Sequence, residues 1–260
     1  MTTGIRQFVD IDTHRLTDPD YRDRCAKRLD AEGALVLRSF FTDVFVDAVR
    51  KESTDREPEA FFASSTHNIW LTPPDPNYAE DHTFNRQMVS TKGLLADDQV
   101  PSTSALRAVY DDPSVREFIA SVVGVAEVYP YADDLSSVNV HFHRDGEELG
   151  WHFDNSSFAI TTLITPPKDG GVFEYVPELR DAALDEQNFD GVRDAVDNAT
   201  NVHQLDFEPG DLVIFRGRNS MHRVTPSQGD RTRILVVFAF NTEPGIGLSE
   251  SAKQTFYGRT

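Results

Sequence analysis

Two textures divide the chain. In the first half, apolar residues recur at helical spacing between polar ones: Asp18 to Leu29 opens with acidic residues and stops before Gly33, and Asp43 to Glu52 spaces Val44, Val46 and Val49 among polar positions. Both read as helices, with the apolar run Ala34 to Phe40 as a strand between them. Pro73, Pro74 and Pro76 deny Thr72 to Asp81 regular hydrogen bonding and predict a loop lying over a site. Ser104 to Tyr110 and Pro113 to Val123 read as helices. After Tyr129, short strand-like runs follow one another: Ser136–His143, Leu149–Asp154, Ser157–Thr165, Gly171–Val176, His203–Phe207, Asp211–Arg216, Met221–Thr225 and Thr232–Asn241. Turn residues at Asp145-Gly146, Asp169-Gly170-Gly171, Pro209-Gly210 and Gly229-Asp230 separate several of them. The acidic stretch Glu178 to Asn201 interrupts the series and holds a surface helix near Phe189 to Val196. The pattern is that of a mainly β barrel or sandwich with flanking helices.

Length and composition narrow the picture. With 260 residues and 39% hydrophobic content the chain can bury a sizeable core, and one catalytic domain over 1–260 is expected: a mixed helical and strand part (1–130), a β core (131–245) and a C-terminal tail (246–260) without fixed structure. A net charge of −18 opposes binding to nucleic acid and to anionic membrane surfaces. The single cysteine, Cys25, has no disulfide partner, and the first residues lack the basic start and apolar run of a secretion signal, which points to a cytoplasmic protein. The longest purely apolar run, Ile234 to Phe240, is too short to span a bilayer as a helix. No oligomeric state follows from the pattern.

Candidate chemistry gathers in the β half. Along Leu149-Gly-Trp-His-Phe-Asp154 residues two apart share a face, so His152 and Asp154 present an imidazole and a carboxylate together. His222 arrives much later, after a strand and tight turn. Two histidines and one carboxylate on one face of a metal leave three positions open, as iron(II) needs to bind a bidentate co-substrate and then O₂. A closed structural zinc site would want four protein ligands. A lone His-x-Asp arises often by chance; the later histidine and the strand series are what raise this one above it. A dicarboxylate co-substrate also needs a cation, best a guanidinium making two parallel hydrogen bonds. Arg231 and Arg233 qualify by type. Arg233 is preferred because it adjoins the apolar run, whereas Arg231 sits beside the Gly229-Asp230 turn as an ordinary solvated residue would.

Together, His152-x-Asp154, the distant His222-Arg-Val-Thr-Pro and the following strand arginine resemble the iron(II)/2-oxoglutarate-dependent dioxygenases over roughly Asn139 to Asn241. The wording Asn139-Val-His-Phe-His143, Gly150-Trp-His-Phe-Asp-Asn155, Phe173-Glu-Tyr-Val-Pro177 and Gly210-Asp-Leu-Val-Ile-Phe-Arg-Gly217 is similar to the bacterial branch that hydroxylates or chlorinates free amino acids. The resemblance implies a double-stranded β-helix (jelly-roll) core, Fe(II), 2-oxoglutarate and O₂ as cofactors, and oxidation of an unactivated C–H bond with release of succinate and CO₂. It places His141 and His143 near the co-substrate carboxylates, and alternation puts them on one strand face with Asn139; relatives often carry Tyr at the position of His143. By resemblance and chemistry Arg86 is the clamp for a substrate carboxylate. Asn155 and Asn241 could add polar contacts, with turn or capping roles as their plain alternative. Phe256 and Tyr257 could close over the substrate. In chlorinating relatives a small residue replaces the carboxylate ligand; here Asp154 fills the position, which favours hydroxylation of a free amino acid or derivative. Desaturation or ring closure, such as cyclopropane formation on a natural-product intermediate, is the alternative outcome at the same iron, and a non-catalytic metal- and ligand-binding barrel is the remote one.

Overall fold

The computed structural model describes residues 4–260. Its first helix, α1 (Pro19–Glu32), starts where the Asp18 carboxylate accepts hydrogen bonds from the backbone N–H groups of Asp20 and Tyr21, with Pro19 at the first helical position. It stops at Gly33, whose φ of 69° costs a glycine little. Helices α2 (Asp43–Arg56), α3 (Ala105–Tyr110) and α4 (Pro113–Val123) are likewise capped by side-chain oxygens of Thr42, Ser104 and Asp112. Two further helices follow, α5 (Phe189–Asn198) and α6 (Glu250–Tyr257).

The strands are β1 (Ala34–Leu37), β2 (Phe61–Asn68), β3 (Gln87–Leu95), β4 (Val138–His143), β5 (Leu149–His152), β6 (Ala159–Thr165), β7 (Asp169–Gly170), β8 (Phe173–Val176), β9 (His203–Gln204), β10 (Leu212–Phe215), β11 (Met221–Val224), β12 (Ser227–Gln228) and β13 (Arg233–Phe238). Eleven of them form one antiparallel sheet in the order β1-β10-β6-β13-β4-β3-β5-β11-β8-β9, with β2 paired to β3; β7 and β12 form a separate ladder. The sheet curls around a cavity, the jelly-roll architecture that the resemblance implies. Among the described residues no helix is long and apolar enough to cross a membrane.

Alternation sorts the two faces of this sheet. On β13, Ile234, Val236 and Phe238 join the main apolar core, while Arg233, Leu235 and Val237 line the cavity. On β4, Val138, Val140 and Phe142 face the same core and His141 faces the cavity. The core is completed by helix residues such as Leu29, Phe45, Leu106 and Phe118. A second cluster, with Trp70, Trp151, Phe153, Val192 and Met221, packs α5 and the loop after β2 against the backs of β5 and β11. The cavity therefore lies between two walls that are each backed by apolar packing, a rigid setting for polar groups.

All eight expected strands of the second half are present, most of them a residue or more shorter at an end; the expected His203–Phe207 is the two-residue β9. The proline-bearing segment 72–81 is a loop, as expected, and the helix near Phe189 is α5. Three longer elements were not expected. The long pair β2 and β3 covers residues to which the sequence pattern assigns no element, apart from Gln87 and Met88 in a segment read as loop, and the tail 246–260 carries α6, whose Ser249 hydroxyl accepts from the Ala252 N–H to cap it. The tail is fixed by burial: Tyr257 is buried and its hydroxyl donates to Asn139 Oδ1 at 2.8 Å.

Candidate active site

His152 and His222 stand opposite each other on β5 and β11. The register slips between this pair and Val224↔Leu149, so one extra residue of β5 is accommodated there. Such a bulge re-aims side chains: Leu149 and His152 both reach the cavity while Trp151 packs behind the strand. Asp154 follows the end of β5, held by its N–H donating to Gly217 O at 3.0 Å. Its Oδ1 lies 3.7 Å from His152 Nε2 and 3.5 Å from His222 Nε2. The donor atoms of all three residues fall within 4.8 Å of one another.

Three observations show that these residues fit a metal. His152 Nδ1 lies 2.8 Å from Gly150 O and His222 Nδ1 3.0 Å from Ser220 O, so each Nδ1–H donates to a carbonyl and each Nε2 keeps its lone pair free toward the cluster. Burial, and then neighbouring His222, pulls His152 down to about 3, so it is a neutral ligand at neutral pH. Asp154 Oδ2 is buried without a hydrogen-bond partner. Burial pushes the Asp154 carboxyl up, yet His222, His152 and Lys92 outweigh it and hold it below the usual carboxylate range. A buried anionic oxygen without a donor is costly unless a cation meets it. Gly217 makes room for the carboxylate, because a Cβ there would fall 2.0 Å from Asp154 Oδ2 and 2.9 Å from His222 Cε1.

A cavity of about 320 Å³ opens from this cluster. Arg233, only 2% exposed, reaches into it from the start of β13. Its side chain has no hydrogen bond or ion pair among the described residues, and burial draws its guanidinium down to about 10. Arg231 is exposed and donates to Pro167 O at 2.7 Å. His143 is paired with Arg233 across β4 and β13, with its buried Nδ1 unpartnered; burial, then Arg233, keeps it well below the ordinary histidine range, and burial, then Lys92, does the same for His141. Phe173 stacks on His222 at 5.5 Å between ring centres and Phe215 meets it edge-on at 4.9 Å. His67, on β2, approaches His152 edge-on at 5.9 Å and lies 2.7 Å from Ser90 Oγ.

The geometry brings His152, Asp154, His222, His141 and Arg233 to one cavity. It does not bring the expected substrate contacts there. Arg86 pairs with Asp197 of α5, which provides its counter-ion. Asn155 is exposed, Asn241 forms an isolated backbone bridge with Tyr129, and Tyr257 is bonded to Asn139. None of the four lines the cavity, whereas Phe256 does. The cavity instead receives Lys92, Ser90, His67 and Ser65 from the β2–β3 pair. These four occupy alternate positions on paired strands, a signal hidden in the sequence by the small polar residues Ser64, Ser65 and Thr66, which blur the contrast between faces.

The sequence profile of the family described as Halogenase D matches residues 74–255, most of the chain. The chain belongs to the Halogenase D family. No curated protein matches its sequence. Among solved structures, this Halogenase D family member is similar to a 2OG-Fe(II) oxygenase family protein from Burkholderia pseudomallei, with 11% identity over 87% of this chain and 93% of the other, at a TM-score of 0.56. It is similar also to the epimerase SnoN in complex with Fe3+, alpha ketoglutarate and nogalamycin RO, at 13% identity, 89% and 93% coverage and a TM-score of 0.58. A Trichoplax adhaerens prolyl hydroxylase shares the fold at 14% identity, 87% and 90% coverage and a TM-score of 0.55. The likeness to these structures is one of fold, and on that fold the chain carries a His152, Asp154 and His222 cluster that fits a metal ion.

Proposed function

We propose that this chain hydroxylates an unactivated C–H bond of a small molecule, a free amino acid or amino-acid derivative. The observation that carries hydroxylation over chlorination is Asp154, whose carboxylate lies 3.5 to 3.7 Å from both imidazole Nε2 atoms and fills the third position on the metal face. His152, Asp154 and His222 would hold Fe(II), and Arg233 would take the distal carboxylate of 2-oxoglutarate in two parallel hydrogen bonds, gaining the counter-ion it lacks. Iron, when bound, supplies with O₂ and 2-oxoglutarate the oxidising power for C–H cleavage, with succinate and CO₂ as co-products. The protein's own share is placement and dryness. His141, which lines the cavity, stays neutral and so would offer the co-substrate a hydrogen bond without competing for the charge of Arg233, whereas His143, paired with Arg233 across the strands, does not line the cavity. Phe173 and Phe215 cover His222 and keep water from that side of the cluster. One shared apolar core across helices and barrel supports a single catalytic domain over 1–260, and the buried, unpaired Cys25 fits a cytoplasmic setting.

The test is Asp154→Gly, assayed by product mass spectrometry on a panel of amino acids and small metabolites, with and without added NaCl. Wild type is expected to add one oxygen to a panel member; loss of two hydrogens instead would identify desaturation or ring closure. The variant is expected to lose most of that product and gain little chlorinated product, because vacating a ligand position does not by itself place a substrate radical beside a halide. Efficient chlorination by the variant, or unchanged hydroxylation, would contradict the role given to Asp154.

A further inference from the structure

The β2–β3 pair supplies a cation that neither the metal cluster nor the co-substrate uses. Lys92 sits opposite Ala63 in the register of the two strands and lines the cavity. Among the described residues its ammonium makes no hydrogen bond and no ion pair. Its Nζ lies 5.9 Å from the centre of the Phe256 ring of α6. Lys27 pairs with Asp23 and Lys51 with Asp55, and Lys168, which has no ion pair among the described residues, is exposed to water. Lys92 is half-buried in the cavity wall, and an ammonium partly withdrawn from water without an anion is unfavourable. It is kept where an anionic ligand repays the cost.

The rest of the lining says what kind of anion. Asp154 is the only carboxylate among the cavity-lining residues, and it is committed to the metal cluster. A substrate ammonium would find only neutral hydroxyls and imidazoles there, such as Ser65, Tyr131 and Thr255. Much of the remaining lining is apolar, including Leu94, Phe158, Phe207 and Val237. Resting on the oxygenase reading above, and narrowing its substrate from a free amino acid to a derivative without the amine, we infer that Lys92 is the counter-ion for a carboxylate of the oxidised substrate, and that this substrate is a small organic anion with an apolar body and no free ammonium group, such as an N-acylated amino acid or a deaminated acid. Arg233 then serves the co-substrate and Lys92 the substrate, from separate strands of the same cavity. Burial draws the Lys92 ammonium down to about 8, with the Asp154 carboxylate opposing the shift, so it remains largely charged at neutral pH.

Lys92 can be read directly by pulsed amine labelling followed by peptide mass spectrometry, on full-length protein loaded anaerobically with Mn(II) and 2-oxoglutarate. The probes are N-acetyl-L-leucine, N-acetyl-L-phenylalanine and 4-methylpentanoate, each against its own carboxamide, and free L-leucine. At least one of the acids is expected to slow Lys92 labelling by about tenfold, the scale of a charged hydrogen bond, while its carboxamide and L-leucine have much weaker effects and Lys27 and Lys51 label unchanged. Thermal-shift titration of Lys92→Met is expected to lose the stabilisation by that acid and to retain that by Mn(II) with 2-oxoglutarate. The proposal is overturned if 2-oxoglutarate alone already protects Lys92, if acids and amides protect equally, if L-leucine protects best, or if no acid protects. Succinate formation from 2-oxoglutarate under O₂, measured on the Fe(II) protein in parallel, separates the two readings: its presence without protection removes only the Lys92 site, and its absence with protection removes only the oxygenase.

Discussion

Arg233 and Arg231 are two residues apart and have opposite environments. The first is buried without a partner; the second is exposed and bonded to a loop carbonyl. Arg233→Gln is therefore expected to raise the 2-oxoglutarate concentration for half-maximal rate by about tenfold or more, the consequence of losing a charged hydrogen bond of roughly 1.5–3 kcal/mol. Arg231→Gln should change it little. Steady-state kinetics in 2-oxoglutarate decide this, and reversed effects would mean that the co-substrate lies elsewhere. Gly217 is a second sharp position, because any Cβ there collides with the Asp154 carboxylate. Gly217→Ala is expected to lower iron affinity by on the order of 10–100-fold, as for other changes that reorient a ligand, with the far-ultraviolet circular dichroism of wild type. Iron retained at wild-type affinity after dialysis against a chelator would show that Asp154 is free to move. The three putting atoms to a metal were legible because a strand's two-residue period and a late histidine are written in residue types. Gly217 and Lys92 were not, since what marks them is distance to residues far away in the chain.

At the level of elements, the β half announced itself through apolar runs broken by turn residues, and all eight runs are strands. The β2–β3 pair did not, because its exposed and cavity-facing positions are both polar: Ser64 and Thr66 are exposed, while Ser65 and His67 line the cavity. Period two is invisible when both faces carry similar residues. Helix α6 was hidden for another reason. Its anchoring rests on a few side chains: Tyr257, whose hydroxyl donates to Asn139 and whose burial pushes its phenol up to about 12, and Arg259, which pairs with Asp98 through two hydrogen bonds. Removing the hydroxyl with Tyr257→Phe leaves Asn139 Oδ1 without that donor and is expected to cost about 1 kcal/mol, lowering the melting temperature by about 2–4 °C. An unchanged melting temperature would mean that packing alone docks the helix. Since α6 also carries Phe256 to the cavity wall, loosening it is expected to affect substrate affinity before it affects iron content.

The whole molecule sets a small positively charged interior inside a strongly negative exterior. The net charge of −18 is carried on the surface, where acidic residues pair with Arg and Lys or face water, while the cavity holds Arg233 and Lys92 unpaired. That contrast suits small anions that enter the cavity and disfavours polyanions that would have to lie along the exterior. It also explains why the chain's overall charge, read from composition, argues against nucleic acid as a partner yet says nothing of the cations inside the cavity. One requirement underlies the proposed function: the His152, Asp154 and His222 cluster holds the iron at which 2-oxoglutarate is consumed. It is tested most directly by adding Fe(II) and 2-oxoglutarate to the protein without oxygen, recording the visible spectrum, and then admitting O₂ and measuring succinate. A weak visible band that decays as succinate accumulates in wild type, and is absent from His152→Ala and His222→Ala variants of wild-type circular dichroism, is the expected result. The same band and succinate yield in either variant, or neither signal in wild type, would contradict it.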